Sequence, residues 1–82
     1  MAYKILPTRQ FEKDSKNVDS VKFDRIRKKF EEVAEDPKRY KRLKGPLSTL
    51  CRIRIGKLRV LFSYDVEKQE LYPEKIIFDH KY

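Results

Sequence analysis

Apolar positions change their spacing twice along this chain, and the changes divide it into elements. "AYKILP", from Ala2 to Pro7, is a short β-prone run ended by a proline. Thr8 is suited to cap a helix, and Arg9 to Asn17 reads as a short one with Phe11, Ser15 and Val18 on one side. Asp19 or Ser20 can cap the next helix. From Val21 to Glu35 the apolar residues Phe23, Ile26, Phe30, Val33 and Ala34 define a single stripe at helical spacing. Asp36-Pro37 stops that helix, because the residue before a proline is pushed out of helical geometry. The two helices are expected to form a hairpin with one continuous apolar face.

Beyond a connector from Lys38 to Ser48, with a Gly45-Pro46 turn, the period drops to two. Strand character runs from Leu47 to Ile55 and again from Leu58 to about Tyr64. A last strand is expected from Leu71 to Phe78, with Pro73 implying a bulge or a strand edge. The order β-α-α-β-β-β groups helices early and strands late. That is α+β, a helical hairpin on one face of a mostly antiparallel sheet. At 82 residues the chain is one domain, 1–82.

Gly56-Lys57 suits a two-residue type II′ hairpin loop and sets the register of the strands it joins. Ile55 then faces Leu58, Arg54 faces Arg59, Ile53 faces Val60, Arg52 faces Leu61 and Cys51 faces Phe62. Paired residues share a face. One face is therefore apolar (Cys51, Ile53, Ile55, Leu58, Val60, Phe62), and the other carries Arg52, Arg54 and Arg59. Ser63 falls on the arginine side, opposite Leu50. Like charges directly opposed destabilise a strand pair by a few tenths to ~1 kcal/mol. Folding gains nothing from this arrangement, and a bound anion would offset the repulsion. A guanidinium is a flat, permanently charged fork suited to phosphate. The competing expectation is that these arginines splay into solvent, or pair with Asp65, Glu67 or Asp79.

Charge distribution favours the anion. The net charge is +8, and residues 38–59 hold nine basic side chains and no acidic one. Residues 1–37 are nearly balanced and residues 60–82 are slightly acidic. A charge serving solubility alone would be spread out; a concentrated block reads as a site for a polyanion, most often nucleic acid. The single cysteine, Cys51, permits no intrachain disulfide and suits a reducing cytoplasm. One cysteine and one histidine, His80, make a poor metal site. No apolar run approaches the ~18 residues of a membrane span, and no signal-peptide core precedes the first strand. The expected setting is cytoplasmic, with no cofactor.

The element order, "LKGPLS" before the hairpin, "CRIRIGKLRVLF" itself and the terminal "DHKY" together resemble RelE-type toxins. Leu43-Lys44-Gly45, Arg52-Ile53-Arg54, Gly56, Arg59 and Tyr82 stand where that family has its motif residues. The resemblance spans nearly the whole chain. Its end is similar to the YoeB-like branch, while Val66 to Lys75 is longer and more acidic than the usual turn. What the resemblance implies is a metal-independent, ribosome-dependent endoribonuclease that cuts mRNA in the A site and is held inactive by a cognate antitoxin. It implies catalytic roles for Arg52, Arg54, Arg59, His80 and Tyr82, with the division of acid, base and stacking roles among His80, Lys81 and Tyr82 left open. Lys41, Arg42, Lys44, Lys57 and Lys81 are the candidate contacts to mRNA and ribosomal RNA. Two other readings stand beside it: a ParE-like inhibitor of DNA gyrase, and a non-catalytic RNA-binding module descended from a toxin.

Overall fold

The helical stripe and the alternating hairpin meet as the sequence requires. The computed structural model describes residues 2–40, 42 and 50–78. A first strand, β1 (Lys4–Ile5), leads to α1 (Arg9–Ser15) and α2 (Ser20–Glu35), and a single 3-10 turn follows at Pro37–Arg39. Three strands come after it: β2 (Cys51–Ile55), β3 (Leu58–Asp65) and β4 (Glu70–Ile77). The sheet order is β1-β4-β3-β2, with β1 parallel to β4 and the other pairs antiparallel. The architecture is the expected α+β.

Both helix starts are capped as the sequence suggests. Thr8 Oγ1 accepts the Phe11 N–H at 3.2 Å, and Asp19 Oδ1 accepts the Lys22 N–H at 2.9 Å. Of the two cap candidates for α2, Asp19 is the one used. Phe11, Ile26, Phe30, Val33 and Ala34 are buried against Cys51, Ile53, Leu58, Val60, Phe62, Leu71 and Ile76. Phe23 and Ile55 are only partly buried at the margin of this core. At its centre Phe62 is fully covered, meeting Phe30 and Tyr40 edge-on at 5.8 and 6.0 Å between ring centroids. Edge-to-face pairs of this kind add about 0.5–1.5 kcal/mol beyond the area they bury. Every ion pair among the described residues lies on the exposed face of α2, around Asp24, Arg27 and Lys29. Such exposed pairs contribute little to stability.

Strand boundaries differ from the sequence expectation by a few residues, most of all in β2 and β4. β2 begins at Cys51; Leu50 lies outside the strand, and 47–49 lie outside the described residues. β4 starts one residue earlier than expected, at Glu70, and carries a bulge. Leu61 pairs with Lys75, but Phe62 pairs with Pro73, so Glu74 is the extra residue. Pro73 is accommodated because β1 has already ended there. In place of a strand, Thr8 donates its N–H to Pro73 O at 3.0 Å. Its hydroxyl reaches Pro73 O at 2.9 Å and Glu74 O at 3.1 Å. Farther along, the outward N–H of Ile76 is accepted by Asp14 Oδ2 of α1. The helix thus takes over the hydrogen bonds that a longer β1 would have made.

Candidate nucleic-acid interface

The hairpin register is the one deduced from Gly56-Lys57, in all five pairs from Cys51↔Phe62 to Ile55↔Leu58. Gly56 has φ +59, while Lys57 stays in the negative-φ region, the combination a type II′ turn needs. In a two-residue hairpin the pair next to the turn exchanges hydrogen bonds, so Arg54 and Arg59 form the non-bonded pair beyond it. The Cα atoms of such pairs approach to about 4.5 Å. Arg52 and Arg54 are exposed and Arg59 is half-buried, all on the side of the sheet away from the helices. None of the three forms an ion pair with a described residue, which removes Asp65 and Glu67 as partners; Asp79 lies outside the described residues.

Arg54, Gly56, Lys57, Leu58 and Arg59 together line a shallow polar cavity of about 110 Å³ at the hairpin tip. Arg54, Lys57 and Arg59 contribute to this lining without an ion-pair partner among the described residues, and Gly56 adds no side chain to obstruct the approach. An oxyanion of phosphate size fits the charge and the openness of this place. Arg42 approaches the same strand from the other end. It bridges Cys51, and its guanidinium lies 5.2 Å from the centroid of the Tyr64 ring. It is therefore not grouped with the hairpin arginines. Lys41, Lys44, His80, Lys81 and Tyr82 lie outside the described residues.

Several further polar groups lie on the arginine face, of which Ser63 was expected there and Glu70, Tyr72 and Glu74 were not. Ser63 Oγ donates to Glu74 Oε2 at 2.6 Å, and the Tyr72 hydroxyl donates to Glu70 Oε1. That bond to Glu70, joined by desolvation and the Asp65 charge, pushes the Tyr72 phenol up to about 12. Leu61 is also on this side and is buried, at 5% exposure, apart from the main core. Alternation had marked Ser63 for this face, and Pro73 had implied a bulge or an edge without indicating that Glu74 would be the extra residue. On the core face, burial raises the Cys51 thiol pKa against the smaller opposing pull of Arg42, and the thiol donates to Tyr40 O at 3.8 Å.

A larger cavity of about 190 Å³ lies on the helix side of the sheet, among Phe11, Phe23, Ile26, Phe30 and Pro73 with Arg27 at its rim. Its lining is otherwise apolar, and the Arg27 guanidinium is already paired with Asp24 and Glu31. No helix among the described residues is long and apolar enough to cross a membrane.

Strand order, helix placement and the hairpin register can now be set against solved structures. The chain superposes on a chain of the toxin–antitoxin complex RelBE2 of Mycobacterium tuberculosis with a TM-score of 0.87 and 18% identity, covering 96% of this chain and 100% of that chain. The fold is that of RelE toxins. The isolated RelE toxin of E. coli matches with a TM-score of 0.82 and 19% identity over 99% of this chain and 88% of its own. The archaeal RelE–RelB complex from Pyrococcus horikoshii matches with a TM-score of 0.76 and 18% identity over the full length of both. No family model and no curated protein matches the sequence. At these identities the RelE likeness is one of fold, with the side chains largely exchanged.

Proposed function

We propose that this protein is the toxin of a type II toxin–antitoxin pair and cleaves mRNA in the ribosomal A site. The observation that carries the reading is the Arg54–Arg59 pair, opposed on an exposed sheet face beside Lys57 and without a described counter-ion. The RelE-type fold supports it from a separate direction.

In the reaction, the 2′-hydroxyl oxygen of one nucleotide attacks the adjacent phosphorus. The bond from phosphorus to the 5′-oxygen breaks, leaving a 2′,3′-cyclic phosphate and a 5′-hydroxyl. Negative charge grows on the non-bridging oxygens, and Arg52, Arg54 and Arg59 would stabilise it more strongly in the transition state than in the substrate. The 2′-hydroxyl proton needs an acceptor and the 5′-oxygen a donor. His80, Lys81 and Tyr82 are assigned to these roles and to base stacking through the resemblance in sequence. Lys41, Arg42, Lys44 and Lys57 would hold ribosomal and messenger phosphates.

Solved RelE neighbours include complexes with RelB. An antitoxin that covers the arginine face with acidic side chains is the corresponding partner here. Primer extension on a translated message tests the function. Cuts at fixed codon positions, dependent on ribosomes and lost in Arg59→Ala, are expected. Absence of such cuts together with blocked gyrase supercoiling would instead establish the ParE-like activity.

A further inference from the structure

The arginine face continues past Arg59 to one carboxylate that the structure takes unusual care to place. Arg59 lies opposite Ile77 and Leu61 opposite Lys75; the shift then makes Glu74 the extra residue of β4. Bulges re-aim side chains and occur beside functional sites. This one is fixed on both sides. Thr8 holds the Pro73 and Glu74 carbonyls from the helix side, and Ser63 holds the Glu74 carboxylate at 2.6 Å on the arginine side. Glu74 is half-buried, in a strand position where glutamate is disfavoured. It forms no ion pair with Arg52, Arg54, Arg59 or Lys75, and its Oε1 has no hydrogen-bond partner among the described residues.

Its distance from the arginines fits a particular task. The Glu74 carboxylate sits at the level of Ser63, two same-face steps along the sheet from Arg59, roughly 13 Å between backbone positions. A proton acceptor for the 2′-hydroxyl would have to lie within hydrogen-bond reach of the sugar beside the bound phosphate. Glu74 is set back from such a position along the sheet, which suits contact with a base better than with the 2′-hydroxyl. Single-stranded RNA is read by hydrogen bonds to the exposed edges of its bases. An ionised carboxylate only accepts, through two oxygens. Guanine alone presents two adjacent donors, N1–H and N2–H, on its Watson–Crick edge; adenine, cytosine and uracil each set an acceptor beside their donor.

We infer that Glu74, oriented by Ser63 and the Thr8-anchored bulge, reads a guanine in the RNA whose phosphate is held by Arg54 and Arg59. This rests on the nucleic-acid reading of the arginine face, and the test separates the two. Fluorescence anisotropy with the full chain would use four labelled pentaribonucleotides that differ only in the central base. A 2′-deoxy sugar at that nucleotide prevents attack on the following phosphate. Wild type is expected to bind the guanine oligonucleotide about ten-fold more tightly than the other three. Glu74→Gln, which sets an amide donor toward a base donor, should abolish the preference and leave the other three affinities unchanged. Ser63→Ala should reduce the preference without abolishing binding. No preference in wild type, or a preference retained in Glu74→Gln, overturns the inference. If Glu74→Gln does not fold, as judged by thermal unfolding, Ser63→Ala decides, and an undiminished preference refutes the inference. Arg54→Ala and Arg59→Ala should weaken all four oligonucleotides alike; if they weaken none, the nucleic-acid reading itself fails.

Discussion

Asp14 Oδ2 accepts the backbone N–H of Ile76 at 2.9 Å, joining the first helix to the last strand across 62 residues of sequence. The N–H belongs to a strand whose parallel neighbour has already ended, and Ile76 itself is buried. Leaving such a donor without a partner costs about 1–3 kcal/mol. Asp14→Ala should lower the unfolding free energy by about that amount, with Asn less damaging because its carbonyl oxygen still accepts. Urea unfolding of the two variants checks the order. Equal stability of wild type and Asp14→Ala would show that water replaces the carboxylate.

Arg54 and Arg59 face each other with like charge, so folding and function are expected to respond to them in opposite directions. Arg54→Ala should leave stability unchanged or raise it by a few tenths to ~1 kcal/mol. The same variant should weaken binding to single-stranded RNA and flatten its dependence on salt, because fewer counterions are released. Parallel measurements of the urea midpoint and of anisotropy over a salt series would reveal the opposition. A variant that loses stability as well as affinity would mean that the arginine stem packs the sheet.

Phe62 is the central core residue, fully buried and stacked edge-on with Phe30 and Tyr40. Phe62→Ala should cost about 3–5 kcal/mol. A whole domain is stable by only about 5–15 kcal/mol, and one this small sits toward the low end. The variant should therefore be largely unfolded near physiological temperature, as far-UV circular dichroism during heating would show. Phe62→Leu should retain a cooperative transition at reduced temperature.

The Tyr72 phenol is raised to about 12 by its hydrogen bond to Glu70, against about 10 in an unfolded chain. A raised folded value means that this contribution to stability is complete below pH 10 and is lost as pH climbs from 10 through 12. In a spectrophotometric titration, a tyrosinate appearing near pH 12 should vanish in Tyr72→Phe. In Glu70→Gln it should move back toward the ordinary range. An unchanged titration in Glu70→Gln would remove the carboxylate as the cause.

What could be deduced from the sequence depended on how local its cause was. Gly56 and the alternation from Cys51 to Phe62 fixed five strand pairs, because a tight turn and a period of two leave one register. The caps at Thr8 and Asp19 were equally visible, since a side chain answers a backbone group three residues away. The second task of Thr8, holding the Pro73 and Glu74 carbonyls, leaves no periodic trace; partners 65 and 66 residues distant share no spacing rule. Pro73 did signal a bulge or an edge, and both occur, but it did not reveal which residue would be extruded. For that reason the arginines were found beforehand and Glu74 was not. Leu61 shows a related limit, because alternation put a leucine on the charged side and gave no warning that it would be buried there.

The meeting of α1 with β4 also orders events in time. β1 and the Thr8 and Asp14 anchors take their partners from residues 69–76, with Thr8 and Asp14 reaching 62 to 66 residues along the chain. Until β4 is in place, α1 lacks the strand on which it packs Phe11, and the strand pair of Arg54 and Arg59 lacks its neighbour. Contacts this distant in sequence form late and slow the search for the native state. In a chain arranged this way the Arg54–Arg59 hairpin closes through a local two-residue turn, whereas Glu74 joins its face only when β4 docks.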